Sequence, residues 1–233
     1  MPRRELPFEN NGYYHVFNKM IDRHRIFTYN MYAERFMKLA QYYRSTESKI
    51  RFSKLRQMSD FEQQTVWKKV GLQKNLRIKI IAYILMPNHF HFILQQKADN
   101  GVSTFLHHMI DSFTRFYNSK NHRKGPIFLT QFKSVRIVSQ EQLSHTSRYI
   151  HLNPYTSNIV KNVENLVSFK YSSFQHFLSP GLSSFCEPKI ILELFSKDPL
   201  VYKDFVVSHA EHQKSLGYIK DMEKVRKNGK HPF

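Results

Sequence analysis

The sequence is poor in cysteine and in long apolar runs. Its single cysteine, Cys186, excludes an internal disulfide and a cysteine-rich zinc site. No stretch approaches the roughly 18 consecutive apolar residues that a membrane helix needs. The amino-terminal segment lacks the apolar run of a secretory signal. We therefore expect a cytoplasmic protein with no membrane partner.

Acidic residues are also scarce. The 36 lysines and arginines outnumber 18 aspartates and glutamates, which gives a net charge of +18 and a pI near 9.9. A basic surface spread along the chain attracts polyanions through phosphate contacts and counterion release. Nucleic acid is the expected partner, and the protein is expected to associate with the nucleoid. A soluble protein that is merely basic is the alternative.

Four segments have the alternating pattern, or the content of β-branched and aromatic residues, that predicts β-strands. Residues 12–18 and 133–138 have the aromatic, β-branched or alternating pattern of strands. Residues 77–85 and 89–95 read as an antiparallel hairpin, with Met86-Pro87-Asn88 as its turn.

Helical spacing and capping residues predict three helices. They start near Asn30, Ser103 and Ser139, and the last is expected to end near Asn153 because Pro154 disfavours continuation. The order β-α-β-β-α-β, followed by a further helix, predicts an α+β, ferredoxin-like fold (the RRM-like architecture). Such a fold has an antiparallel sheet with helices on one face.

The principal domain is predicted over residues 1–178. Within it, residues 46–75 are polar and basic, and we interpret them as a partly helical insertion. Residues 179–233 are predicted to form a helical extension and a basic tail.

A histidine pair lies in the second strand of the hairpin. His89 and His91 flank Phe90, and side chains alternate faces along a strand, so both imidazoles point the same way. Two such rings can share one metal ion. A pair alone is, however, more typical of surface or hydrogen-bonded histidines. His15 is interpreted as an ordinary histidine.

The segment SRYIHLNPY, residues 147–155, adds a phenol and an amide. Tyr149 and Asn153 are four residues apart, so they share one face of the predicted helix. The amide oxygen is a possible third metal ligand. The helix alone favours a core tyrosine at position 149.

These segments together resemble a known family. MPNHFHFIL, residues 86–94, resembles the His-hydrophobe-His motif of HUH single-strand endonucleases, and RYIHLNP, residues 148–154, resembles the tyrosine helix of single-tyrosine transposases. YYHVFNKMIDRHRIF, residues 13–27, is similar to the first strand and loop of that family. The branch of REP-associated tyrosine transposases is the most similar, over roughly residues 12–207. The chain departs from it at residues 19–21 and 155–158, which leaves the DNA sequence preference open.

The resemblance implies a metal-dependent single-stranded DNA endonuclease and strand transferase. Tyr149 would attack a phosphate beside a DNA hairpin and form a 5′-phosphotyrosine. His89, His91 and Asn153 would hold Mg²⁺ or Mn²⁺. A monomer is expected from the helices after residue 180, and a dimer that shares active sites is the alternative.

Basic residues near these motifs are candidates for contacts with nucleic acid, although each could equally be a solvated surface charge. They are Lys19, Arg23, Arg25, Arg115, Lys120, Arg123, Lys124, Lys133 and Arg136.

Two other functions remain as alternatives. One is a DNA- or RNA-binding protein on the same fold that does not cleave. The other is a zinc hydrolase or deaminase, which is disfavoured because the sequence has neither an HExxH motif nor a cysteine pair.

Overall fold

A four-stranded antiparallel sheet forms the centre of the protein. The computed structural model describes residues 7–179, 181–182 and 185–215, except for the Arg23 side chain. Its strands are β1 (Tyr13–Lys19), β2 (Ile78–Met86), β3 (His89–Gln96) and β4 (Lys133–Ile137). They lie in the order β2-β3-β1-β4, and every neighbouring pair is antiparallel. The predicted hairpin, β2 and β3, and the other two predicted strands, β1 and β4, are confirmed.

Helices connect and follow these strands in the predicted order. They are α1 (Asn30–Tyr43), α2 (Phe52–Leu55), α3 (Asp60–Gly71), α4 (Gly101–Lys120), α5 (Gln140–Thr156), α6 (Phe174–Leu178), α7 (Lys189–Leu192) and α8 (Pro199–Val207). The α+β, ferredoxin-like fold is confirmed. The helices α2 and α3 lie within the segment 46–75, and the interpretation of this segment as an insertion stays a prediction.

One face of the sheet packs against α1 and α4. Phe90 and Phe92 point to this face and are fully or almost fully buried. The Phe36 ring of α1 lies 5.2 Å from both the Phe90 ring and the Phe113 ring of α4, measured between centroids. The two helices of the β-α-β-β-α-β unit thus share one apolar core with the sheet.

The opposite face of the sheet packs against α5, which is the helix predicted to follow the β-α-β-β-α-β unit. The helices α6 and α8 complete the apolar core on this side. Ile84 and Ile93 of the sheet are buried with Ile150 of α5 and Tyr202 of α8. The helical additions predicted after residue 179 are confirmed at α7 and α8. The basic tail over 216–233 lies outside the described residues, and the boundary at residue 178 stays a prediction.

The helices α1 and α4 begin at Asn30 and Gly101, close to the predicted starts, but neither Asn30 nor Ser103 is the N-cap that the sequence suggested. Tyr29 precedes α1 as its N-cap, while the Asn30 amide accepts a hydrogen bond from the Tyr171 hydroxyl instead of capping the helix. Asn100, in the left-handed conformation at φ 57°, precedes α4, and Ser103 lies inside that helix. Tertiary contacts therefore decide these starts, because the capping preferences are worth only about 1 kcal/mol.

The helix α5 starts as predicted but ends later. The Ser139 hydroxyl accepts a hydrogen bond from the Gln142 backbone N–H at 3.0 Å. The helix continues through Pro154 to Thr156, so the predicted end near Asn153 is wrong. Proline removes one backbone donor, and here the buried Tyr155, whose hydroxyl donates to Glu211, stabilises the additional turn.

No helix among the described residues is long and apolar enough to cross a membrane.

Candidate active site

The histidine pair lies on the sheet face that packs against α5. His89 and His91 alternate with the buried Phe90 and Phe92, and their own ring centroids are 5.1 Å apart. His91 is 4% exposed, whereas His89 is partly exposed at the start of β3. The predicted division of this strand into an imidazole face and an apolar face is present.

Both imidazoles are neutral at physiological pH. Burial, followed by the charge of Lys19, lowers the pKa of His89 to about 4. Burial, followed by the nearby His89 ring, lowers the pKa of His91 well below its ordinary value. A neutral imidazole has a lone pair for a metal ion. His89 Nδ1 lies 2.7 Å from Asn88 Oδ1, so a hydrogen bond to that oxygen leaves Nε2 with the lone pair.

The helix α5 brings the predicted phenol and amide to the histidines. The Tyr149 ring stands edge-on to His91, at 81° with centroids 5.7 Å apart, and the residue is 41% exposed. Asn153 is 5% exposed, and its side chain accepts a hydrogen bond from the His89 ring, which partly opposes the lowering of the His89 pKa. The structure therefore gathers all four residues at one place, while their chemical roles stay predictions.

The sequence interpretation missed His15 as a member of this cluster. His15 Nε2 lies 2.9 Å from His91 Nδ1, and the Tyr149 ring stands 6.0 Å from the His15 ring, measured between centroids. Burial lowers the pKa of His15 to about 4. One feature of the sequence could have suggested this position for His15. Side chains alternate between the two faces of a strand, so His15, Phe17 and Lys19 of β1 lie on one face. The register of β1 against β3, which brings His15 next to His91, could not be read from the sequence.

The donor set fits a divalent metal ion, although weakly. His89 and His91 offer ring nitrogens and Asn153 an amide oxygen, and all three ligands are uncharged. Among the described residues, no group of three or more His, Cys, Asp or Glu side chains is placed to hold a metal. Mg²⁺ prefers oxygen ligands, whereas imidazole suits later metals better. The site therefore fits a metal that a phosphate oxygen helps to hold.

Some of the basic candidates adjoin this cluster. Lys19 is exposed opposite His89 in the sheet register, and Lys133 is exposed opposite Phe17 on the same face. Arg25 is exposed in the loop that follows β1. The Arg23 side chain lies outside the described residues. Lys19 and Lys133 thus extend the positive surface beside the histidines.

The other basic candidates lie elsewhere. Arg115 and Lys120 are exposed on α4, across the sheet from Tyr149. Arg123 donates to Asn118 and to the Pro126 carbonyl, and so it holds its own loop together. Two further candidates are Lys124, which is exposed, and Arg136, which forms an ion pair with Glu9.

Other tyrosines near the motifs are less suited to act as nucleophiles. Tyr117 packs against Tyr32 on the opposite side of the sheet. Tyr155 is buried and donates to Glu211, and that hydrogen bond raises the pKa of the Tyr155 phenol. Of these three phenols, Tyr149 is the one whose ring meets the histidines.

The fold is thus an α+β fold built on a four-stranded antiparallel sheet, and its candidate site places a His-x-His pair beside a helix that carries a tyrosine. A solved structure of a REP-associated tyrosine transposase bound to a REP hairpin has a similar fold, with a TM-score of 0.53 and 15% sequence identity. The similarity covers 80% of this chain and 91% of that chain. No protein-family model and no curated protein matches. At this identity the similarity establishes the fold alone.

Proposed function

We propose that the protein is a metal-dependent, single-stranded DNA transesterase of the transposase type. The observation that carries this proposal is the position of Tyr149, whose ring lies 5.7 Å from His91 while Asn153, one helical turn further, contacts His89. The motif resemblance to REP-associated tyrosine transposases supports it. The hairpin bound to the similar solved structure supports hairpin-bearing single-stranded DNA as the substrate.

The reaction is a phosphoryl transfer to the Tyr149 phenol. The phenol oxygen forms a bond to the scissile phosphorus, and the bond from phosphorus to the 3′ oxygen breaks. The phenol proton passes to water, which reaches Tyr149 because the residue is 41% exposed. The leaving oxygen takes up a proton and becomes a free 3′-OH. Attack by another DNA 3′-OH on the 5′-phosphotyrosine then rejoins the strands and restores the phenol.

The ring nitrogens of His89 and His91 and the amide oxygen of Asn153 would hold Mg²⁺ or Mn²⁺. Such an ion acts as a Lewis acid that polarises a phosphate oxygen. Lys19 adds positive charge beside the same phosphate. Because the protein supplies three uncharged ligands, DNA phosphate is needed for tight metal binding.

The alternative is a protein that binds DNA or RNA through the same surface without cleaving it. We further propose a monomer in the cytoplasm, associated with the nucleoid. A dimer with shared active sites is the other possible assembly.

A covalent adduct tests the proposed function directly. Labelled hairpin-bearing single-stranded DNAs are incubated with the protein and Mn²⁺ or EDTA, and adducts are resolved on denaturing gels and located by mass spectrometry. We expect a Mn²⁺-dependent adduct on Tyr149 that is lost in Tyr149→Phe. Tyr117→Phe is the matched control, because it removes a phenol on the opposite side of the sheet from the histidines.

Binding without an adduct across many hairpins, with Mn²⁺ and with Mg²⁺ in its place, would replace this proposal with the non-cleaving alternative. An adduct that persists in Tyr149→Phe would assign another nucleophile.

A further inference from the structure

A basic cleft lies across the sheet from Tyr149. It has a volume of about 590 Å³ and runs between α1, α4 and the segment that leads into α2. Four serines and two histidines line it, and no carboxylate does. Its cationic lining residues are Arg35, Lys49, Arg51, Arg115 and Lys120.

Arg35 is the unusual residue of this cleft. It is 9% exposed, and its guanidinium carbon lies 4.3 Å from the centroid of the Phe52 ring and 4.8 Å from that of Phe116. Its Nε makes no hydrogen bond to any described residue. Burial, followed by the charge of Arg56, lowers the pKa of Arg35 to about 10, so the group remains protonated at neutral pH.

Buried charges in proteins are normally paired, because an isolated one carries a large desolvation cost. Two carboxylates near the cleft belong to other cations: Glu47 lies 3.2 Å from Lys49, and Asp111 lies 3.5 Å from Arg115. Both pairs are solvent-accessible and therefore weak. Arg35 has no such carboxylate among the described residues, and this leaves it available to an anion that enters the cleft.

We propose that this cleft is a second nucleic-acid-binding site, in which a backbone phosphate pairs with Arg35. A guanidinium presents a planar set of donors that matches phosphate oxygens. The surrounding cations and serine hydroxyls suit a polyanion with successive phosphates. Because the cleft and Tyr149 lie on opposite faces of the sheet, DNA bound here leaves the cleavage site open. With DNA as the source of the phosphate, the inference rests on the proposed function.

Binding measurements on a protein that cannot cleave test this site. In the Tyr149→Phe background, a fluorescein-labelled hairpin-bearing single strand is titrated by fluorescence anisotropy at several salt concentrations. We expect Arg35→Met and Arg51→Glu to weaken binding about tenfold and to reduce the salt slope by about one for each phosphate that the variant no longer neutralises. Lys68→Glu, an exposed charge reversal on α3 outside the cleft, is the matched control and should change binding less than about twofold.

Arg51 is exposed, so its variant reports on the cleft even if Arg35→Met alters folding, which thermal unfolding detects. Equal affinities for Arg51→Glu and Lys68→Glu would overturn the inference while leaving cleavage by Tyr149 intact. If the affinity depends on the cleft but the parent protein forms no Tyr149 adduct, the binding site is supported and the proposed cleavage is overturned.

Inorganic phosphate and thymidine monophosphate serve as competitors of DNA binding. If they occupy the cleft while DNA affinity is unchanged in both variants, DNA is not its ligand.

Discussion

His15 Nε2 and His91 Nδ1 lie 2.9 Å apart and join β1 to β3 beside the Tyr149 ring. The shared proton has two possible positions. If His91 donates from Nδ1, its Nε2 keeps a lone pair and can bind a metal. If His15 donates from Nε2, His91 carries its proton on Nε2 and cannot bind. Metal binding by His91 therefore requires His15 to accept the hydrogen bond.

Without the His15 ring, His91 should lose the hydrogen bond that fixes which of its ring nitrogens carries the proton. We expect nitrogen-15 NMR of the metal-free protein to show His91 protonated on Nδ1, and His15→Ala to show a mixture. Mn²⁺ affinity in the presence of DNA should fall about tenfold, as for other residues that orient a metal ligand. His209→Ala, an exposed histidine outside both the candidate active site and the basic cleft, is the control. A wild-type His91 protonated on Nε2 would contradict this account.

Metal and DNA should bind cooperatively. His89, His91 and Asn153 supply no charge to a metal, so a phosphate oxygen has to complete the site. We expect calorimetry to show weak Mn²⁺ binding to the free protein and at least about fivefold tighter binding to its complex with hairpin DNA, with the reciprocal effect on DNA affinity. The Tyr149→Phe background prevents cleavage during the titration. Tight Mg²⁺ binding by the free protein would refute this description of the site.

The sheet and the motif residues could be predicted because their signals are local. Alternation identifies a strand and its two faces, so the positions of His89 and His91 followed from adjacent residues. The spacing of Tyr149 and Asn153 placed them on one helix face in the same way. The position of His15 beside His91 depends on pairing between β1 and β3, which are separated by about 70 residues of chain.

The basic residues show a second limit of the sequence. From the sequence, Lys19 and Arg136 are equivalent candidates, because both are cations close to a motif. In the structure Lys19 is exposed beside His89, whereas Arg136 forms an ion pair with Glu9. The burial of Arg35 could not be predicted from the sequence, because its position between two aromatic rings comes from the packing of α1 against α2 and α4. Long-range packing decides which of these charges are available.

His151 should make the stability of the protein dependent on pH. It is buried, with Nδ1 2.8 Å from the Tyr202 hydroxyl and Nε2 2.8 Å from Ser173 Oγ. Burial lowers the pKa of His151 from 6.5 to about 3. Between those values the unfolded chain binds a proton that the folded protein does not bind. Stability is therefore complete above about pH 6.5 and falls as the pH decreases, by up to about 1.4 kcal/mol per pH unit.

Denaturant unfolding of the metal-free protein between pH 7 and pH 4 measures this slope. Burial also lowers the pKa values of His15 and His89 to about 4, and these residues act in the same direction. We expect His151→Asn to be less stable than the parent at pH 7 and to have a shallower slope of stability against pH. An unchanged slope in His151→Asn would show that the residue does not contribute.

Two glycines should respond oppositely to substitution by alanine. A Cβ at Gly101, the first residue of α4, would lie 2.3 Å from the Arg77 carbonyl oxygen, which accepts hydrogen bonds from Lys97 and Ala98 and so cannot easily move. We expect Gly101→Ala to lower the free energy of unfolding by about 1 to 3 kcal/mol. At Gly71, which ends α3, nothing lies within 4 Å of the added atom, and alanine should raise it by about 0.5 kcal/mol. Equal effects in urea denaturation would contradict the close approach of Arg77 to α4.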